Sequence, residues 1–285
     1  MESSIGTIGF IGAGNMAEAM IKSLLVRGYN GNIVASRRSV EQLERLNKTY
    51  EIETTTDNRK VAEQSDVVVF SVKPQSLDTV MEGLAGIHLG ERLVLSIAAG
   101  KRTSYFEQKL GSQTRICRAM PNIGFFYGCG VSAYYLNGNC SENEEKNARY
   151  ILEAGGPTYR VNESDMDVVT ALSGSGPAFF SYFLSCMEEK AIKMGLQERV
   201  AHSLLTKTVE GTAEFLKANG LSYTEFIDKV ASKGGTTEAG ISFAKTNGIK
   251  EGISGIIDAA AKRSRELGLS GMNINQPLEI RCEKT

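Results

Sequence analysis

Gly9-Phe10-Ile11-Gly12-Ala13-Gly14-Asn15-Met16 is the stretch on which the reading of this chain turns. It lies between an apolar run, Ile5 to Ile11, and a segment, Ala17 to Arg27, in which Ala19, Met20, Leu24 and Leu25 recur at helical spacing. Period-two apolar character argues a strand, and three-to-four spacing argues a helix. Within the junction, Gly12 suits a tight turn, Gly14 allows the backbone to approach a pyrophosphate, and Ala17 is small enough for close packing of helix on strand. Amide groups at the helix start then face an anion. A strand–glycine turn–helix of this kind opens a dinucleotide-binding unit.

Working outward, the same alternation continues. Strands are expected at Asn32 to Ser36, Glu51 to Thr54, Asp66 to Val72, Arg92 to Ile97 and Thr114 to Ala119. Helices are expected at Val40 to Lys48, Arg59 to Gln64, Leu77 to Leu84 and Thr103 to Leu110. Further strands, Cys129 to Tyr135 and Thr158 to Val161, flank a helix at Glu142 to Glu153. Alternating strands and helices predict a parallel sheet covered on both faces, an α/β Rossmann domain over residues 1–163. From residue 165 the strand signal fades. Phe179, Phe180, Phe183, Leu184 and Met187, then Leu204, Leu205, Thr208 and Thr212, then Ile253, Ile256, Ile257 and Ala260 recur at helical spacing. An all-α domain over 164–270 is expected, with 271–285 as a tail.

Composition narrows the function classes. The chain has 285 residues, long enough for two domains, and a formal charge of −1, which argues against a nucleic-acid partner. The glycines, 30 against 5 prolines, have no collagen-like period and therefore serve turns and close approaches. The cysteines, Cys117, Cys129, Cys140, Cys186 and Cys282, form no C-x-x-C pair, so neither a disulfide framework nor a metal site is expected. The start lacks a basic segment followed by an apolar one, and no long apolar run follows; a cytoplasmic location with no membrane span is expected.

The end of the second expected strand reads Ala35-Ser36-Arg37-Arg38, with no carboxylate to hold both ribose hydroxyls. Ser36 can instead bond an oxygen of a 2′-phosphate and Arg37 or Arg38 can neutralise it, which points to NADPH, with NADH possible. Ser71-Val72-Lys73-Pro74 and Ile97-Ala98-Ala99-Gly100 stand at the carboxyl ends of expected strands, where ligands sit in open α/β sheets. There Ala98, Ala99 and Gly100 leave room for a flat ring. Arg118 to Asn122, Ala171 to Phe179 and Ala231 to Glu238 read as substrate-side loops, and the last of these has the glycines and hydroxyls of an anion nest. His88 and His202 are the chain's histidines and neither has an acidic neighbour in sequence that would make it a catalytic base. Hydride addition to a protonated C=N bond needs little from imidazole and fits that absence.

Over roughly residues 5–270 the chain resembles the pyrroline-5-carboxylate reductase family, through GFIGAGNM (9–16), SVKPQ (71–75), SIAAG (96–100), RAMPN (118–122), ALSGSGPAF (171–179) and GGTT (234–237). The resemblance implies reduction of 1-pyrroline-5-carboxylate to L-proline, the last step of proline biosynthesis. It also implies a homodimer through the helical domain and a higher oligomer such as a decamer. Cofactor contacts would come from Ile11, Gly12, Ala13, Gly14, Asn15, Met16, Ser36, Arg37, Asn58, Ser71, Val72, Lys73, Pro74, Ile97, Ala98 and Ala99. The cyclic imine's carboxylate would lie on Ser232, Gly234, Gly235, Thr236 and Thr237, with the Thr237 hydroxyl near the ring nitrogen as the catalytic group. The chain departs from the family pattern in two places. Lys233 stands where the family carries proline, and Ile123-Gly124-Phe125-Phe126 replaces a Thr-Pro continuation. Both departures are expected near the substrate and keep open a related cyclic imine acid, or a paralogue that binds NADP(H) without turnover.

Overall fold

The computed structural model describes residues 5–269. They fall into two compact units. One holds the described residues through Ser175 together with those from Ala260 onward, and the other is Gly176–Ala259. The tail expected over 271–285 lies outside the described residues.

The first unit is an eight-stranded sheet. Its strands are β1 (Thr7–Ile11), β2 (Asn32–Ser36), β3 (Glu53–Thr55), β4 (Val67–Phe70), β5 (Leu93–Ser96), β6 (Arg115–Pro121), β7 (Ser132–Leu136) and β8 (Thr158–Arg160). Between them run α1 (Asn15–Val26), α2 (Val40–Tyr50), α3 (Asn58–Gln64), α4 (Leu77–Gly83), α5 (Thr103–Leu110) and α6 (Glu142–Leu152), and the short α7 (Met166–Val169) follows β8. Sheet order is β3-β2-β1-β4-β5-β6-β7-β8, so the chain reverses direction across the sheet between β1 and β4, the place where such folds bind their ligands.

Each strand side chain goes to one of two cores because successive Cβ atoms point to opposite faces. Val67 and Val69 join one buried cluster with Ile8, Phe10, Leu93 and Leu95. Val68 and Phe70 join the other with Ile11, Val34 and Val94. Burial on both faces is why these strands read as uninterrupted apolar runs. The strand at 67–70 is shorter than the expected 66–72. Just before it, Asp66 still bonds both neighbours, its amide donating to the Thr7 carbonyl (3.0 Å) and its carbonyl accepting from the Leu93 amide (3.1 Å), while its carboxylate accepts from the amides of Gly6 (3.0 Å) and Thr7 (2.8 Å).

The expectation of a parallel sheet needs one correction. β7 pairs antiparallel with β6, Cys117 opposite Leu136 and Pro121 opposite Ser132, whereas every other neighbouring pair is parallel. The link between β6 and β7 contains only a 3₁₀ turn, Ile123–Tyr127, and a parallel return would need a crossover of about a dozen residues.

The second unit is helical: α8 (Gly176–Lys193), α9 (Glu198–Asn219), α10 (Tyr223–Val230), α11 (Thr236–Thr246) and the first part of α12 (Ile249–Leu269). Pro177 occupies the first turn of α8, as the sequence suggested, where a missing amide costs nothing. Gly220, at φ 61°, ends α9 in the left-handed conformation. A capping box of Ser222 and Glu225 starts α10. Phe215 and Phe226 pack ring to ring at 5.4 Å and tie α10 to α9. Among the described residues no helix is long and apolar enough to cross a membrane.

Candidate active site

At the carboxyl end of β1 the backbone turns at Gly12, whose φ of 96° is closed to most side chains. Space forbids a side chain as well, since a Cβ there would lie 2.3 Å from Val72 Cγ1. The amides of Gly12 and Ala13 both donate to the Ser36 carbonyl, at 3.0 and 2.8 Å, which ties the loop to the end of β2. From the β4 side, the Ser71 hydroxyl donates to the carbonyls of Gly12 (3.0 Å) and Ile11 (3.2 Å). The loop is therefore braced from both neighbours before any ligand arrives.

Gly14 differs in kind. It caps α1 with φ −88°, and a Cβ there would meet nothing nearer than the Gly12 carbonyl oxygen at 3.9 Å. The protein's own packing does not require glycine at this position, whereas a pyrophosphate lying on the backbone would. The first amides of α1 have no intrahelical acceptor and carry the positive end of the helix dipole. The loop thus fits the phosphates of a dinucleotide.

At the end of β2, Ser36 is fully buried and its hydroxyl donates to Asn58 Oδ1 at 2.7 Å. The carboxamide nitrogen of Asn58, at the start of α3, keeps no internal partner among the described residues. Arg37 Nη1 donates to the Ala13 carbonyl at 2.9 Å, which sets a guanidinium beside the glycine turn, and Arg38 is exposed. Lys73 is exposed at the head of the 3₁₀ turn that begins with Pro74.

On the β5 side, Ala98 is buried while Ile97 and Ala99 are half-buried. Gly100 has a role different from the one its sequence suggested. A Cβ there would stand 2.2 Å from the Ser264 carbonyl oxygen and 2.8 Å from the Gly268 amide nitrogen. The end of α12 fills that space, and Gly268 is in turn held to glycine by the Gly100 carbonyl.

β6 carries a buried charge network, centred on Arg118, for which the sequence gives no local signal. Arg118 is 2% exposed. Its Nη2 meets Asp167 Oδ1 at 3.1 Å, and its Nη1 lies 3.8 Å from Glu163 Oε1, too far for a hydrogen bond. Ser264 donates to the same Asp167 oxygen at 2.7 Å, and the Thr103 amide donates to Glu163 at 2.7 Å. Burial pushes the Arg118 pKa down, and the two carboxylates oppose that shift. Beyond the network, Asn122 Oδ1 accepts from the amides of Gly124 (3.2 Å) and Val131 (3.3 Å), and Met120 packs where Gly174 leaves space.

Phe125, in the second departure from the family pattern, does not line an open pocket. Phe125 is fully buried in the core of the first unit, with its ring against Gly155, where a Cβ would lie 2.2 Å from ring carbons. Its carbonyl accepts from the Ser23 hydroxyl at 2.9 Å, and Phe126 packs partly buried on the same core.

In the helical unit, Ser232, Lys233 and Gly234 are exposed and lead into α11. Gly234 has φ 74°, and the Gly235 amide closes a turn onto the Ser232 carbonyl at 2.9 Å. The Gly234 amide donates to Glu238 Oε2 at 2.6 Å. Of the backbone donors expected to meet a carboxylate, only those of Thr236 and Thr237, at the helix start, remain uncommitted, alongside the hydroxyls of Ser232, Thr236 and Thr237. His88 is exposed, and His202 is exposed with Nδ1 3.0 Å from Glu188. A cavity of about 470 Å³ lined by Thr7, Asn32, Tyr50 and Glu53 opens at the amino ends of β1, β2 and β3, away from the glycine turn.

With this geometry in view, comparison with known proteins is specific. Residues 163–267 match the family described as pyrroline-5-carboxylate reductase dimerisation, and residues 7–100 match the family described as NADP oxidoreductase, coenzyme F420-dependent. The chain is 34% identical over 263 residues to pyrroline-5-carboxylate reductase 1 of Bacillus spizizenii, covering 91% of this chain and 89% of that protein. It superposes on a pyrroline-5-carboxylate reductase from Coxiella burnetii with a TM-score of 0.82 at 33% identity, covering 91% of this chain and 97% of that one. It superposes on the Plasmodium falciparum pyrroline carboxylate reductase, solved with NADP bound, with a TM-score of 0.84 at 26% identity, covering 94% and 100% of the two chains.

Proposed function

We infer the reaction from family membership: this chain belongs to the pyrroline-5-carboxylate reductase family, and it is an oxidoreductase that reduces 1-pyrroline-5-carboxylate to L-proline with NAD(P)H. The observation that carries this is similarity along nearly the whole chain to proteins named for that one activity, 34% identical over 91% of its length in the Bacillus spizizenii case. NADPH is the proposed donor. Its support is the absence of a carboxylate at the end of β2 together with Arg37 held at the glycine turn. When bound, the dinucleotide supplies the hydride that converts the C=N bond to an amine.

The chain's own residues do the rest. The Ile11–Met16 turn and the first amides of α1 hold the phosphates, helped by the segments Ser71–Pro74 and Ile97–Ala99. Ser36, being buried, acts through Asn58: its hydroxyl fixes the carboxamide oxygen inward and leaves the amide nitrogen as the donor. Ser232, Gly234, Gly235, Thr236 and Thr237 form the cradle for the imine's carboxylate. The Thr237 hydroxyl, on the first turn of α11, serves the proton at the ring nitrogen. Residues 164–270 are proposed as the dimerisation domain. Its single-chain surface exposes Phe180, Tyr182, Met187 and Leu204, large apolar groups that a partner subunit would cover. A higher oligomer built from such dimers, in the cytoplasm, completes the proposal.

The test follows cofactor absorbance during turnover of 1-pyrroline-5-carboxylate and its six-membered homologue, each with NADPH and with NADH. Preferred turnover of the five-membered ring with NADPH is expected. Preference for the larger ring would replace the substrate assignment. Cofactor binding with no turnover of either would remove the enzymatic reading.

A further inference from the structure

The loop before α11 already holds an anion, supplied by the chain itself. Glu238 lies in the first turn of α11, and its Oε2 accepts from the Gly234 amide at 2.6 Å. That short contact has the length of a charge-assisted bond. It reaches back across the turn closed by Gly235 onto Ser232, at the point where Gly234, with φ 74°, aims its amide into the loop. The opposite charge nearest in sequence, Lys233, is exposed and makes no ion pair among the described residues. A carboxylate approaching Ser232 and the Thr236 and Thr237 amides therefore meets a fixed negative group on the adjoining donor.

We propose that Glu238 is a specificity-determining residue of this enzyme: its carboxylate occupies the Gly234 amide and competes there with the carboxylate of the substrate. The proposal rests on the assignment of the substrate carboxylate to this loop. Its consequence is a site biased against anionic ligands relative to the same loop without Glu238, so that substrate capture requires the Glu238 side chain to leave Gly234. The carboxylate-free ring, 1-pyrroline, does not need that donor and should be indifferent to the residue at 238.

The test compares kcat/KM for 1-pyrroline-5-carboxylate with that for 1-pyrroline, at saturating NADPH, in the parent enzyme, E238A, E238Q and S232A. Thermal melts and far-UV circular dichroism establish that each variant is folded. In E238A the ratio of the two kcat/KM values should rise about five-fold, the size of one net hydrogen bond made available to the substrate. E238Q should give a smaller rise, because a neutral amide oxygen holds the Gly234 amide less strongly than a carboxylate does. S232A should lower the ratio. An unchanged or lowered ratio in folded E238A, with S232A lowering it as expected, overturns the role of Glu238 alone. If S232A leaves the ratio unchanged, the carboxylate is not bound on this loop, and the assignment beneath the proposal falls with it.

Discussion

Removing Asp167 should unfold this protein more readily than any comparable change on its surface. The Arg118 side chain is 2% exposed and that of Asp167 is 6% exposed, so the pair is held away from water. In D167A the guanidinium loses its contact at 3.1 Å and keeps only Glu163, at 3.8 Å, while the Ser264 hydroxyl loses its acceptor at 2.7 Å. Stranding one partner of a buried pair costs about 3–5 kcal/mol. At roughly 2–4 °C per kcal/mol for a chain of this size, the melting temperature should fall on the order of 10 °C. The double variant R118M/D167A should recover most of that loss, because an apolar replacement of a buried pair is often close to neutral. Thermal and urea unfolding would be followed at one protein concentration, since a subunit equilibrium would otherwise move the midpoint. A D167A variant within about 1 kcal/mol of the parent would refute the claim of a desolvated, mutually dependent pair. So would a double variant that loses as much as the two single changes added together.

Two other expectations follow from the geometry. G12A, with its Cβ forced within 2.3 Å of Val72 and a φ of 96°, should fold poorly or not at all. G14A, with nothing nearer than 3.9 Å, should lose only about 1 kcal/mol, the scale of placing alanine at a helix N-cap, yet bind NADPH at least ~10-fold more weakly in a fluorescence titration; equal affinity would remove Gly14 from the cofactor site. The Glu18 pKa is lowered chiefly by its hydrogen bonds from Arg45, with help from the Tyr50 hydroxyl and against the effect of burial. A depressed folded pKa stabilises the protein above the unfolded value, near 4.5, and that contribution is lost as pH falls through the folded value. The stability gap between the parent and R45M should therefore be open at neutral pH and close on acidification; a gap that widens in acid would show the attribution to be wrong.

What could be read from the sequence and what could not divides by the range of the interactions involved. The turn at Gly12 was legible because a strand, a positive-φ glycine and a helix start lie within a few residues of one another. The Val67–Phe70 strand was legible because burial on both faces leaves only apolar side chains. In sequence Arg118 reads as part of a substrate-side loop because its partners are remote: Asp167 lies 49 residues away, and Ser264 lies a further 97 residues beyond Asp167. The role of Gly100 is hidden for the same reason, since its neighbour Gly268 lies on the last described helix. Glu238, in contrast, sits four residues from Gly234, and a glutamate in the first turn after a glycine loop is a capping signal that sequence alone could have supplied.

Phe125 carries the most consequence for function. Its departure from the family pattern, beside Asn122, suggested a re-shaped pocket for a different ring. Its position in the fold is instead dictated by Gly155, which offers a flat space only because it lacks a side chain, and by Ser23, which binds the Phe125 carbonyl. A fully buried ring that fills a hole left by a glycine answers to core packing, and a change there is expected to act on stability before it acts on substrate choice. Of the two departures, Lys233 alone is exposed on the loop assigned to the carboxylate. On that assignment Lys233 would meet the acid group rather than the body of the ring. Within the other departure the exposed side chain is Ile123, so a question of ring size rests on Ile123 rather than on Phe125, and a question of charge on Lys233 and Glu238.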